Sequence, residues 1–330
     1  MIDFGIPRPL GGLASVFLLT AAGLMAGCGP KPAEEKQQEE QQQPAPARQA
    51  ARIGRPLPML VSVDELESRI GEANLRILDA RAVDEYVEGH VPQAVPVEVG
   101  EWKDQSLAEK GLQDQAFWSE AVSLLGIDGA TNVVVYADDP TAAARVWWTL
   151  KYVGVPHVAL LDGGWPAWRA AGGKVATDET EIESKGKFAA RFQKERLAEI
   201  GDLKESLEAD AVTVIDARSD EEHAGTSGPG ARLGRIPGAK HLEWKQFLDA
   251  DGRFKSPEQI RSILAEQGIA GEKTVVTHCQ SGGRAALDAF ALELAGLPNV
   301  KNYYCGWSEW SKDEAAPVEQ DGSATDPLKN

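Results

Sequence analysis

The chain has 330 residues, with 34 Lys and Arg against 51 Asp and Glu and a formal charge of −17. That length suffices for two ordinary domains with tails, and so acidic a chain with no run of Lys and Arg excludes nucleic acid as a partner, although a small anion can still be held by local N–H groups and one or two arginines. The three cysteines, Cys28, Cys279 and Cys305, form no CxxC pair or Cys/His cluster, which excludes a disulfide framework and a metal centre and calls for no cofactor.

After Arg8 an apolar stretch from Leu10 to Ala26 has the length of a signal-peptide core and is short for a spanning helix. It ends in Leu24-Met25-Ala26-Gly27-Cys28, which resembles the lipobox of bacterial lipoproteins. The resemblance implies a signal peptide over 1–28, lipid attachment at Cys28, and a membrane-anchored protein in the periplasm or outside the cell. The alternatives are an ordinary cleaved signal and an uncleaved anchor. Residues 30–50 are Pro, Glu, Gln, Lys and Ala with almost nothing apolar, so 29–54 is expected to be a disordered tether.

The remainder is built twice. Leu75-Arg76-Ile77-Leu78-Asp79-Ala80-Arg81 recurs as Val212-Thr213-Val214-Ile215-Asp216-Ala217-Arg218, and Gly89-His90-Val91-Pro92-Gln93-Ala94 as Gly234-Arg235-Ile236-Pro237-Gly238-Ala239. Asn132–Tyr136 matches Lys273–Thr277, and Gly164-Trp165-Pro166-Ala167-Trp168 matches Gly306-Trp307-Ser308-Glu309-Trp310. A spacing of about 140 residues means two copies of one domain. In the second copy Val212–Ile215, Thr274–Thr277 and Val300–Tyr304 are expected as strands, and Leu197–Leu207, Pro257–Gln267 and Arg284–Ala295 as helices. Continuous apolar strands alternating with helices predict an α/β fold, each copy a mainly parallel sheet flanked by helices on both faces, with functional residues where strands end. The expected boundaries are a first domain over 55–175, a linker over 176–194, a second domain over 195–313 and a tail over 314–330.

Between the strand ending at His278 and the helix starting near Arg284 lies Cys279-Gln280-Ser281-Gly282-Gly283-Arg284. A strand end, small residues and a helix start aim N–H groups and a helix dipole at one sulfur, which makes Cys279 a candidate nucleophile. The competing reading is a buried cysteine acting as a small hydrophobe. The loop Gln280, Ser281, Gly282, Gly283 and Arg284 is the candidate cradle. His278 is expected to pack or hydrogen-bond within the sheet, because adjacent strand residues face opposite ways.

These motifs, with Arg145-Val146-Trp147-Trp148 and Leu161-Asp162-Gly163-Gly164-Trp165, make the chain resemble a tandem rhodanese of the thiosulfate and 3-mercaptopyruvate sulfurtransferase family, over about residues 56–312. The resemblance implies transfer of sulfane sulfur through a Cys279 persulfide, with a small anionic donor such as thiosulfate and a thiol or cyanide-like acceptor. It also implies an inactive first copy that helps to form the interdomain cleft. That copy has Ala137 to Arg145 where the second has His278 to Arg284, with Asp138 and Asp139 instead of a cysteine. The alternatives are a persulfide carrier serving a protein partner and a Cys-dependent phosphatase, which uses a longer loop between Cys and Arg.

Several roles stay open at this level. Arg284 either binds donor oxygens or ties the loop to Asp216. Asp216 and Arg218 are candidate supports. Some family members place an anion-gripping Arg where Glu222 stands here; Arg232 and Arg235 are possible substitutes, or exposed charges. Arg145 is expected to be structural, and the tryptophans Trp147, Trp148, Trp165, Trp168, Trp307 and Trp310 to form core and cleft walls. Cys305 is expected at the end of the strand from Val300, at the sheet edge that carries Cys279, as either a reversible disulfide partner or a free thiol.

Overall fold

The computed structural model describes residues 57–182 and 185–321; the signal segment with Cys28 and the tether over 29–54 lie outside the described residues. Among them the first copy runs β1 (Leu60–Val61), α1 (Val63–Arg69), β2 (Leu75–Asp79), α2 (Val83–Glu88), β3 (Ala94–Pro96), α3 (Val99–Leu107), α4 (Gln115–Leu124), β4 (Asn132–Tyr136), α5 (Pro140–Tyr152), β5 (His157–Leu161) and α6 (Gly164–Ala170). The second runs α7 (Ile200–Glu208), β6 (Val212–Asp216), α8 (Asp220–Ala224), β7 (Lys240–His241), α9 (Pro257–Glu266), β8 (Thr274–His278), α10 (Gly283–Leu294), β9 (Val300–Tyr303) and α11 (Gly306–Trp310).

Both sheets are parallel, in the orders β1-β5-β4-β2-β3 and β7-β6-β8-β9. The register repeats as well, with Asp79 opposite Tyr136 in one sheet and Asp216 opposite His278 in the other. The second sheet's counterpart of β1 is reduced to one parallel bridge between Leu197 and Asn302. That bridge is why the helix expected from Leu197 starts only at Ile200: the Ala198 N–H is donated to the Asn302 carbonyl. Similarly, the strand from Val300 stops at Tyr303 because Cys305 takes helical angles as the N-cap of α11.

Alternation along the strands sorts side chains between two faces. Leu78, Val133 and Val135 of the first sheet and Ile215 and Val275 of the second share one core with α5 and α10. Trp147 on α5 meets Phe290 on α10 edge to face, with centroids 4.9 Å apart. The two copies are therefore fused through a common inner layer. The outer faces carry separate clusters, with Val134, Tyr136 and Trp168 on one side and Val214, Val276, Tyr303 and Trp307 on the other. All six tryptophans named from sequence pack against core clusters.

The connecting segment is packed rather than loose. Ala176 forms an antiparallel bridge with His90, Phe188 N–H is donated to Ser123 Oγ, and Ala190 is fully buried. Past residue 313 the chain also folds back: Ala316 is buried and Glu319 bridges Arg235.

Candidate active site

β8, buried from Val275 onward, delivers Cys279 to the carboxyl edge of the sheet, where the residue is 2 % exposed and packs with Ala217, Ala285 and Trp244. The chain then turns through Gly282 at φ +85° into α10. A Cβ there would lie 2.7 Å from the Tyr304 ring, so glycine serves both the angle and the close approach. Because α10 begins at Gly283, the N–H groups of its first turn have no partner within the helix and present the positive end of its dipole to the loop. On the other side, the Cys279 and Gln280 carbonyls accept the Trp307 and Ser308 N–H groups at 2.8 and 3.0 Å. The loop backbone is thus tied to the start of α11 on one side and runs into α10 on the other.

The first copy repeats this frame without the thiol. Ala137 O accepts the Trp165 N–H at 3.0 Å, and a Cβ on Gly164 or Gly306 would come within 2.2 Å of the Ala137 or Cys279 carbonyl oxygen, respectively. Ala137 is therefore the counterpart of Cys279, one residue away from the register expected from sequence. In consequence Arg145 lies in the second turn of α5 and does not occupy the place of Arg284.

Arg284 is tied to the loop's surroundings by Glu222 and not by Asp216. Its Nη1 and Nη2 are donated to the Glu222 carboxylate at 2.5 and 3.0 Å. Burial opposes its charge, but Glu222 and the sulfur outweigh that, and its pKa is raised. Glu222 is held in turn by a capping box at the start of α8: its carboxylate accepts the Ser219 N–H at 3.2 Å, and Ser219 Oγ accepts the Glu222 N–H. The Ser-x-x-Glu spacing was the available sequence signal for this partner.

Asp216 belongs to a deeper pair. Arg218 is donated to both of its oxygens, at 2.8 and 2.6 Å, and to the Gly234 carbonyl at 2.9 Å, and lies over the Trp307 ring at 4.6 Å. Both residues are buried. His223 Nδ1 lies 2.9 Å from Asp216 Oδ2. Burial alone would raise the Asp216 pKa, but His278, Arg218 and His223 reverse that and hold it well below the usual carboxylate range. Asp79 and Arg81 repeat the pair in the first copy.

Neither proposed substitute for an anion-gripping arginine is available. Arg232 donates to the carbonyls of Ser311, Ala316, Trp310 and Asp313, which anchors the segment after α11. Arg235 is paired with Glu319 and with Asp321, at 2.7 Å for the latter. Their guanidinium groups are held by carbonyls and carboxylates that the sequence pattern does not place.

Two further residues reach this region, Arg145, expected from sequence to be structural, and Asp288, which sequence reasoning left aside. Arg145 Nη1, from the copy without a cysteine, is donated to the Ser281 carbonyl and to the Tyr304 hydroxyl, both at 2.7 Å. Asp288, one turn beyond Arg284, is fully buried, and neither carboxyl oxygen has a hydrogen-bond partner. Burial first, then the charges of Cys279 and Asp216, push its pKa well up. An acid in the middle of the apolar stretch from Ala285 to Leu292 was its only signal.

His278 is wholly buried on the face opposite Cys279 and has no hydrogen-bond partner; its Nε2 lies 3.7 Å from Asp216 Oδ2. Packing, rather than hydrogen bonding, accounts for it. Cys279 and Cys305 are free thiols. Cys305 packs against the outer cluster of Val214, Val276 and Trp307, apart from the cluster that holds Cys279, and burial pushes its thiol up to about 11.

Comparison with known proteins agrees with the duplicated architecture. A model of the rhodanese-like domain matches residues 62–171 and again 199–313. The chain is 32 % identical to a thiosulfate sulfurtransferase of Pseudomonas aeruginosa, covering 80 % of this chain and 97 % of the relative. It is 29 % identical to the 3-mercaptopyruvate sulfurtransferase of Escherichia coli K12, over 78 % of this chain and 97 % of that one. Among solved structures, an anaerobic ergothioneine biosynthesis enzyme from Chlorobium limicola is similar with a TM-score of 0.71 and 25 % identity, covering 79 % of this chain and 70 % of that one. With two rhodanese-like domains fused through a common core, the chain belongs to the rhodanese family and is a tandem-domain sulfurtransferase.

Proposed function

We propose that Cys279 carries the sulfur, accepting it from a small sulfane donor such as thiosulfate and passing it to a thiophilic acceptor. The supporting observation is the contrast between the copies: equivalent strand ends meet equivalent helix starts, and only the second places a thiol there. In the first step the Cys279 thiolate attacks the outer sulfur of thiosulfate. An S–S bond to Cys279 forms, the S–S bond of the donor breaks, and its electron pair leaves with sulfite. In the second, the acceptor attacks the outer sulfur of the persulfide and the pair returns to Cys279 as thiolate. First-turn N–H groups of α10 and the Arg284 guanidinium are placed to stabilise the anionic sulfur in both steps.

Thiocyanate formation from cyanide, with thiosulfate and with mercaptopyruvate as donors, tests this reading. Turnover that disappears in Cys279→Ala supports it, and undiminished transfer in that variant would overturn it. A persulfide that forms only in the presence of a donor protein would convert the enzyme reading into that of a carrier.

We also propose attachment to a membrane through a lipid on Cys28, supported by the Leu24–Cys28 motif and the polar segment that follows it. Fatty-acid incorporation into the full chain, lost in Cys28→Ser, is the expected result; unlabelled wild type would remove the anchor.

A further inference from the structure

We infer that Glu222 is a specificity-determining residue that competes with the donor for Arg284 and so disfavours dianionic donors relative to sulfane sulfur carried on a low-charge thiol. The inference deepens the proposed function and rests on sulfur transfer at Cys279.

Arg284 stands in the first turn of α10, at the end of the Cys279 loop, and makes a two-point contact with the Glu222 carboxylate. The guanidinium fork suits a carboxylate or an oxyanion of similar shape, so a sulfonate-like donor end competes for the same donors. Glu222 is not a loose surface acid: its side chain is 11 % exposed, and the α8 capping box holds it in place. Neighbouring cations are matched in the same way, Lys245 by Glu243 at 2.8 Å and Arg218 by Asp216 at 2.6 Å. Arg145 has no carboxylate partner, but its Nη1 is taken by Ser281 O and Tyr304 Oη.

A thiolate, one arginine and one carboxylate leave the mouth with a net negative charge before any donor arrives. Thiosulfate brings two further charges and must displace Glu222 or approach it unpaired. A hydropersulfide, R–S–SH, avoids that conflict. Thiolate attack on its terminal sulfur forms the Cys279–S bond, breaks the donor S–S bond and releases RS⁻ with the electron pair, while the proton stays on the transferred sulfur. The donor enters uncharged, and the one negative charge of the thiolate leaves on RS⁻.

The test compares wild type with Glu222→Gln. Glutamine retains the capping geometry and the shape but not the charge. On a Cys279→Ala background, where no turnover occurs, the thiosulfate dissociation constant measured by calorimetry is expected to fall about tenfold on adding Glu222→Gln, the scale of one charge-assisted hydrogen bond. In the active protein, kcat/KM for thiosulfate is expected to rise by a similar factor, while that for a hydropersulfide of an uncharged thiol changes less than about twofold. Unchanged or weaker thiosulfate binding overturns the inference, as does an equal gain for both donors. The binding measurement decides the role of Glu222 even if neither donor is turned over, whereas normal turnover with unaltered binding removes Glu222 and leaves the sulfurtransferase reading standing. Glu222→Ala, which also frees Arg284, is expected to tighten thiosulfate binding in the same direction.

Discussion

Arg145 of the domain without a cysteine donates a hydrogen bond to the backbone carbonyl of Ser281, within the loop of the domain that has one, at 2.7 Å. The same nitrogen reaches Tyr304 Oη, and the guanidinium lies against Gly283, where a Cβ would come 2.7 Å from Arg145 Nη2. The copy without a cysteine thereby acts as a brace for the loop.

Arg145→Met should consequently loosen the loop without touching Cys279. The expected result is about a tenfold loss of sulfur-transfer rate from misplacement of the loop amides, with about 2 kcal/mol lost from two charge-assisted hydrogen bonds. Rate measurements paired with urea titrations check it; full activity in a destabilised protein would show that the brace serves folding alone.

Gly306 and Gly164 supply a matched pair. An alanine at either would drive its Cβ to within 2.2 Å of a backbone carbonyl, at φ +55° or +57°. Each substitution is expected to cost about 3 kcal/mol through the clash and the left-handed backbone. Only Gly306→Ala moves the peptide of Cys279, so only it should reduce kcat in protein shown by circular dichroism to be folded.

The buried imidazole of His278 ties stability to pH. Burial lowers its pKa to about 4, although Asp216 pulls in the other direction. Unfolded, the same group takes its proton near pH 6.5, so between these values the unfolded chain binds more protons. The contribution is complete above pH 6.5 and is lost as pH falls through the window toward 4, by about 3 kcal/mol at most. Melting temperatures from pH 7 to 4 should fall less steeply for His278→Asn than for wild type; parallel curves would mean that other groups govern the acid limb.

Cys305 should be dispensable for sulfur transfer. With its thiol pushed up to about 11, it stays protonated at pH 7 to 9 and is a poor nucleophile. Cys305→Ser is expected to keep transfer within about twofold of wild type, and non-reducing mass spectrometry after mild peroxide should find no Cys279–Cys305 link, since the two thiols pack in different clusters.

Much of the molecule was legible because its signals are local. The apolar runs Val212–Ile215 and Thr274–Thr277, the Gly-Trp motifs and the glycines after Cys279 each report the backbone they need, and repetition in the same order revealed two parallel sheets and one cysteine-bearing loop. The short strand bounds shifted where a long-range bridge, such as Leu197 to Asn302, claimed a residue that propensity assigned to a helix.

What the sequence by itself determined is the duplicated α/β frame, the placement of Cys279 at a strand end, and the confinement of that thiol to the second copy. Which arginine meets which carboxylate was decided by tertiary structure alone. Arg284 has Asp216 and Glu222 far from it in the sequence, and Arg232, Arg235 and Arg145 carry the same charge with no mark of destination. Only the folded chain brings Glu222 to Arg284 and Arg145 to Ser281. A charged side chain takes the nearest well-oriented acceptor in space, and nearness in space between distant segments is a property of packing.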